Sequence, residues 1–238
     1  MGLCSSNDGV GSKMKIKVVP GILEHEAEEF LKKIAKAEKF TDRVFVDIID
    51  GRFVENLTVG MDELMELTTK LDLYVQLMTE EPINYLNQCA EASVFLVVGH
   101  IELMGNQLAF LKKGKELGME IGLALDLSTP IDFIDESSLK KVKTILLMSV
   151  AAGFSEQGFE IKVLEKIKEL REGGFQGDIF VDGGVNTDTI EKCVEAGANA
   201  FSVTSGIWKM DKPDKAWMNL KKLAQQKLKH LDGQAKKS

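Results

Sequence analysis

Residues 144–150, TILLMSV, are apolar or small almost without a break, and residues 94–99, VFLVVG, repeat the pattern. A half-exposed strand alternates apolar with polar side chains, whereas a short unbroken apolar run marks a strand buried on both faces, as in a parallel sheet covered by helices. Outward from these two runs, similar β-rich stretches recur at 16–20, 43–49, 73–78, 94–101, 120–126, 144–150, 178–182 and 200–205. Between them lie segments of helical period, among them HEAEEFLKKIAKAEKF (25–40), GNQLAFLKKGKELG (105–118), EIKVLEKIKELREGG (160–174) and DTIEKCVEAGAN (188–199). Their apolar residues recur at i, i+3 and i+4, and several close on a glycine. Eight strand and helix units predict an α/β chain folded as a single (β/α)8 TIM barrel. A doubly wound open sheet would not require eight even repeats, and no GxGxxG follows the first strand, which Pro20 and Gly21 close instead. The barrel is expected over residues 15–231, with 1–14 a flexible extension, a last amphipathic helix over 212–230 and 232–238 a frayed end.

Composition restricts the partners. The 238 residues are 44% hydrophobic and 28% charged, with a net charge of -7, which argues against a nucleic-acid partner while leaving room for a local cationic or amide-lined phosphate pocket. Cys4, Cys89 and Cys193 are odd in number, widely spaced and outside any CxxC, so neither a disulfide framework nor a zinc motif is expected. No apolar run nears the about 18 residues that cross a bilayer, and no export signal is present; a cytoplasmic protein is expected. The stretch MGLCSS matches the N-myristoylation pattern at Gly2, with Cys4 open to palmitoylation. A tag or extended start is the plainer reading there, because Met14 opens the first strand directly as MKIKVVPG. Otherwise no membrane partner is expected, and the expected assembly is a homo-oligomer.

Barrels carry their chemistry at the C-terminal ends of the strands. In VFVDIIDG (44–51) a period of two groups Phe45, Asp47 and Ile49 on one face, and in YVQLM (74–78) it groups Tyr74, Gln76 and Met78. Strand four ends with His100 and Glu102, strand five with Asp126 and strand seven with Asp182. In VDGGVN (181–186), Gly183 and Gly184 let backbone amides approach an anion, and a helix starting near Asn186 or Thr187 would add free N–H groups. Thr204, Ser205 and Gly206 in VTSGIW (203–208) repeat the device, so a phosphorylated ligand is expected over strands seven and eight, unless these glycines only serve turns. The small, flexible segment SVAAGFSEQGF (149–159), which includes Gly153, is long enough to fold over a ligand as a lid, or is a passive connector. Strands two and seven nearly face each other across a ring of eight. Asp47 and Asp182 could then flank a small ligand, one removing a proton and the other returning one to the opposite face; as an alternative, each caps backbone amides.

The pieces VPGIL, VDIIDGRFVENLTVG, VQLM, EEPINYL, HIE, GLALDLSTP, ILLMSVAAGF, VLEKIKELRE and VDGGVN stand in the order and spacing of the ribulose-phosphate 3-epimerase family, which the chain resembles from about residue 15 to residue 208. The resemblance implies a (β/α)8 fold of the ribulose-phosphate-binding type and metal-dependent epimerisation of a pentulose 5-phosphate through an enediolate. It implies that Asp47 and Asp182 are the acid/base carboxylates and metal ligands. Met78 and Met148 would line the pocket and Gly184 and Ser205 would hold phosphate; from their places on the strand ends and loops, Gln76, Gly153, Gly183 and Gly206 are expected in the substrate site as well. The implied cofactor is a divalent zinc, iron or manganese ion, with no organic cofactor. The chain departs from the pattern at the two positions where the family supplies imidazole ligands, here Phe45 and Gln76. Gly21 stands where the family has serine, Ile49 where it has methionine and Thr204 where it has glycine, and the lid sequence differs. Phenylalanine is no ligand and an amide oxygen suits zinc or iron poorly, so two carboxylates and at most one amide make a weak metal site. His100 could replace a ligand, but reads more readily as structural. Losing a metal that stabilises an enediolate slows the reaction by roughly three orders of magnitude unless hydrogen bonds compensate, and Gln76 could donate one. The sequence therefore predicts a sugar-phosphate epimerase, with a catalytically lapsed phosphosugar sensor or scaffold as the alternative. A decarboxylase of the related barrels fits less well, because the Asp-x-Lys-x-x-Asp strand is absent.

Overall fold

The computed structural model describes residues 14–153 and 158–235. Eight strands run β1 (Lys17–Ile22), β2 (Arg43–Ile49), β3 (Asp72–Met78), β4 (Leu96–His100), β5 (Glu120–Leu125), β6 (Thr144–Met148), β7 (Asp178–Asp182) and β8 (Ala200–Val203). They pair in parallel with their chain neighbours, and β1 pairs with β8, closing the sheet into a barrel. The helices are α1 (Ala27–Ala37), α2 (Met61–Met65), α3 (Leu86–Glu91), α4 (Gln107–Glu116), α5 (Glu136–Leu139), α6 (Val163–Glu172), α7 (Ile190–Ala196), α8 (Ser205–Trp208) and α9 (Pro213–Ala235). They cover the outside. On α1, for instance, the inward stripe is Phe30, Ile34 and Ala37, while Glu28 and Glu29 open the helix and Lys36 closes it, each charge suiting its end of the dipole.

Strand side chains divide by parity. Val44, Val46 and Ile48 join the core under the helices, as do Val75, Leu77, Ile145, Leu147, Ile179 and Val181. The other faces, Phe45, Ile49, Tyr74, Met78, Leu146, Met148 and Phe180, form a second cluster inside the barrel. The unbroken apolar runs of β4 and β6 thus serve two cores at once. Phe45, Tyr74 and Phe180 fill the lower interior edge to face, with centroids 5.8 Å apart for Phe45 and Tyr74 and 5.4 Å for Phe45 and Phe180. Chemistry is thereby confined to the layers above, at the C-terminal ends of the strands.

Several expected boundaries shift. β1 extends two residues past Pro20 to Ile22, while β6 stops at Met148 and β8 at Val203, each short of the apolar run in the sequence. The helix after β7 begins at Ile190, not near Asn186 or Thr187, because residues 186–189 form a side-chain-bonded turn: Asn186 N–H donates to Thr189 Oγ1 and Asp188 N–H to Asn186 Oδ1. The last helix runs to Ala235, so residues 232–235 are helical where a frayed end was expected. Cys89 and Cys193 are buried free thiols, pushed up to about 12 by burial. No helix among the described residues is long and apolar enough to cross a membrane. The Gly2 acylation pattern and Cys4 lie outside the described residues, as do residues 154–157 of the lid.

Candidate active site

Asp47 and Asp182 project from β2 and β7 into the barrel mouth, 3% and 6% exposed, and line one small cavity of about 40 Å³. With them stand Leu23, Met78, Met148, Val150, Gly153, Gly183, Gly184, Val185, Ser202, Thr204 and Ser205. Burial, reinforced by the nearby Asp182, pushes the Asp47 carboxyl well above the usual carboxylate range. Burial also pushes Asp182 up, to about 6, against the pull of the Ser202 hydroxyl, the Gly183 N–H and His100. Two hydroxyls fix the strand ends that carry these groups. Thr58 Oγ1 donates to the Asp47 carbonyl at 2.7 Å and accepts from Ile49 N–H at 3.0 Å. On the other side, Ser149 donates to the Asp182 carbonyl, through its N–H at 2.7 Å and its hydroxyl at 2.9 Å. Neither Thr58 nor Ser149 stands out as functional in the sequence; Thr58 lies in the loop between β2 and α2 and Ser149 directly after β6, and only the fold brings them under the carboxylates.

Gln76 and Gly206, two of the residues expected in the substrate site, lie outside the cavity lining. Gln76 is fully buried one strand over from Asp47, its register partner. Its Nε2 lies 3.0 Å from His100 Nε2 and donates to Met148 Sδ at 3.2 Å. An amide NH₂ only donates, so His100 Nε2 is the acceptor and the ring proton sits on Nδ1, 3.1 Å from Glu102 Oε2. Glu102 Oε1 in turn accepts Asp126 N–H at 2.7 Å, and Asp126 Oδ1 accepts Ala152 N–H at 2.8 Å. This chain of bonds leads from the barrel interior to the base of the lid segment. Burial pushes the Glu102 carboxyl up, but His100, Asp126 N–H and Thr129 outweigh it and hold Glu102 down at about 2. Glu102→Ala leaves the imidazole Nδ1–H and the Asp126 N–H without acceptors, and we expect a loss of about 2–4 kcal/mol in urea unfolding. Because the folded-state value is depressed, the stabilisation by Glu102 is present above its ordinary 4.5 and disappears as pH falls toward 2.

Gly183 and Gly184 have φ of 97° and 58°, left-handed conformations that glycine adopts without strain. A Cβ on Gly184 would stand 2.8 Å from Phe159 N, and one on Gly183 would overlap the Val150 side chain. The two glycines thus let the β7 loop run directly under the segment that follows the lid. Gly206 does the same from β8, since a Cβ there would meet Val185 O at 2.7 Å. Gly153 lines the cavity where a Cβ would overlap Val54, and its carbonyl accepts a bond from Asn56 Nδ2, so the β2 loop and the lid base meet over the mouth. Gly21 and Thr204 are a matched pair: a Cβ on Gly21 would overlap Thr204 Oγ1, so the hydroxyl on β8 fills the space that a β1 side chain would take.

A sequence profile described as the ribulose-phosphate 3 epimerase family matches residues 17–208. The chain belongs to that family. It is 35% identical over 201 residues to the ribulose-phosphate 3-epimerase of Bacillus subtilis (strain 168), covering 81% of this chain and 92% of the relative. With the ribulose-phosphate 3-epimerase of Synechocystis sp. (strain ATCC 27184 / PCC 6803 / Kazusa) it shares 37% over 203 residues, 81% of this chain and 87% of the relative. Among solved structures, a 3-hexulose-6-phosphate synthase superposes with a TM-score of 0.64 at 16% identity, covering 88% of this chain and 99% of that one. A thiamine phosphate pyrophosphorylase from Pyrococcus furiosus superposes at 0.62 and 16% identity, over 91% and 98%. At such identities the two structures speak for the barrel fold alone.

For a ribulose-phosphate 3-epimerase family member the pocket is short of metal ligands. Among the described residues no group of three or more His, Cys, Asp or Glu side chains converges. The Phe45 ring is fully buried against Tyr74 and Phe180, and both nitrogens of His100 face protein partners, Gln76 and Glu102. Two carboxylates and the Gln76 amide oxygen, which has no hydrogen-bond partner, are what remains. That donor set does not fit zinc or iron, which four-coordinate nitrogen-rich sites suit.

Proposed function

We propose that the chain is a sugar-phosphate epimerase that inverts a carbon next to the carbonyl of a ketose phosphate, through an enediolate, with Asp47 and Asp182 as the two proton-transfer groups. The observation that carries this reading is that these two buried carboxyls, both raised by burial, line a single cavity. Two buried carboxyls in one cavity favour a state in which one is ionised and the other holds a proton, so one serves as base and the other as acid. In one direction the Asp182 carboxylate takes the proton from carbon and the electron pair moves onto the carbonyl oxygen as an enediolate. Asp47 then delivers its proton to the same carbon from the other face, and the roles exchange in reverse. The Ser202 hydroxyl, in the same cavity, is available to donate to the enediolate oxygen.

The phosphate would rest on the β7 and β8 loops, where Gly183, Gly184 and Ser205 line the cavity and the first N–H groups of α8 have no partner within that helix. Membership of the epimerase family supports a phosphorylated sugar as the ligand. Gly184→Ala forces a side chain into a left-handed position against the Phe159 backbone, about 1–3 kcal/mol of strain. We expect it to weaken ketose phosphate binding about tenfold by calorimetry while leaving the affinity for the unphosphorylated sugar unchanged.

The test of the function is solvent deuterium incorporation into ribulose 5-phosphate and related ketose phosphates, followed by NMR. Exchange well above that of an Asp47→Asn/Asp182→Asn variant is expected; no difference between the two would overturn the reading. The alternative, a phosphosugar-binding barrel without turnover, predicts calorimetric binding and no exchange.

A further inference from the structure

We infer that this pocket works without a resident divalent cation, the place of the missing ligands being taken by an apolar plug and a hydrogen-bonded amide. The inference rests on the epimerase reading only for what it says about turnover; the statement about the ion stands on the donor set.

Around the two carboxylates, the positions on β2, β3 and β4 that could bring a nitrogen ligand are already committed, leaving only oxygen donors. On β2, two residues below Asp47, Phe45 packs edge to face on Phe180 at 5.4 Å and Tyr74 at 5.8 Å, so apolar rings close the floor. On β3, in register with Asp47, the Gln76 amide turns its nitrogen to His100 and Met148. On β4, His100 accepts from Gln76 and donates to Glu102, with the Phe53 ring 4.8 Å from its own, so the imidazole has no free lone pair to offer. An ion would have two carboxylates and one neutral oxygen. Zinc and iron sites need nitrogen or sulfur donors that are absent, and magnesium and manganese need about six oxygens, several of them water. Carboxylates 3% and 6% exposed beside Met78, Met148 and Val150 leave little space for such a hydrated ion. The Gln76, His100 and Glu102 chain has a definite part here: it fixes the amide so that the space next to Asp47 is closed by a neutral group.

The experiment uses the full chain, incubated anaerobically with Fe(II), Zn(II), Mn(II) or Mg(II), desalted, and analysed for metal by plasma mass spectrometry beside the Asp47→Asn/Asp182→Asn variant. We expect no more metal in the wild-type chain than in the variant, no rise in melting temperature with 1 mM of any of the ions (about the level at which a specific site would stabilise the fold), and deuterium exchange equal in chelator and in metal. About one ion per chain retained by the wild type and not by the variant overturns the inference. So does a tenfold or greater gain in exchange on adding any ion. If no ion is retained and no exchange occurs in either buffer, the epimerase reading fails and the ion-free pocket stands.

Discussion

In an Asp47→Asn variant, epimerisation of the ketose phosphate falls by about three orders of magnitude, while exchange of the labile proton from one of the two epimers persists. On the proposed roles the two outcomes separate, because the carboxyls stand on different strands and each serves one face of the carbon. A positioned acid or base contributes roughly 10²–10⁴-fold. Removing Asp47 deletes the acid of one direction and the base of the other, but leaves Asp182 ionisable in the same cavity. The surviving base still lifts a proton from the epimer that presents it, and the same group can return deuterium to the same face. Asp182→Asn gives the mirror result, exchange from the opposite epimer alone. A capping role for either carboxyl predicts instead an equal loss from both epimers, in proportion to destabilisation. Deuterium incorporation starting separately from each epimer decides between these, with circular dichroism melts confirming that both variants fold.

Much of this architecture was legible in the sequence, for a reason that concerns periodicity. A strand buried on both faces announces itself as an apolar run, and the one polar residue in VFVDII or YVQLM is conspicuous because everything around it is apolar. Parity then put Asp47 with Phe45 and Ile49, and the barrel interior contains Phe45 and Ile49 together with their β3 neighbours Tyr74 and Met78. What was not legible depends on distance in the chain. Gly21 and Thr204 accommodate one another across the β1 and β8 seam, yet neither says so by itself. Thr58 and Ser149 hold the strand ends that carry Asp47 and Asp182 from loops, where a hydroxyl has no periodic signature. Gln76 reads as a pocket residue by its place on β3, but its nitrogen is claimed by His100, a residue of β4 that the sequence offers as a mere strand end. Helix starts are the least visible: the turn at residues 186–189 uses the same Asn, Asp and Thr residues that would cap a helix, and they delay it to Ile190 instead.

As pH rises through about 4–6, activity and stability should move in opposite directions, because the same buried pair governs both. Asp182 is raised from 3.8 to about 6 by burial, so the folded chain holds a proton that the unfolded chain has already released across that interval. With more protons bound in the folded state, stability falls as pH rises through the window, and Asp47, raised in the same direction by burial, adds to the decline. A carboxyl whose proton affinity rises roughly a hundredfold on folding costs about 3 kcal/mol when it must ionise at neutral pH. Asp182→Asn removes that cost, and for a chain of this size about 3 kcal/mol corresponds to a melting temperature about 6–10 °C higher at pH 7.5. At pH 4 the wild type and the variant melt close together. Over that window turnover runs the other way: kcat/KM climbs as the pair loses its first proton, near pH 6, and declines at higher pH when the pair loses its second. Melting curves and pH-rate profiles on the same two proteins test the coupling. A variant that is no more stable than the wild type at pH 7.5 would mean that the carboxyls are satisfied as structural groups, and the opposed pH dependence would then have no physical cause.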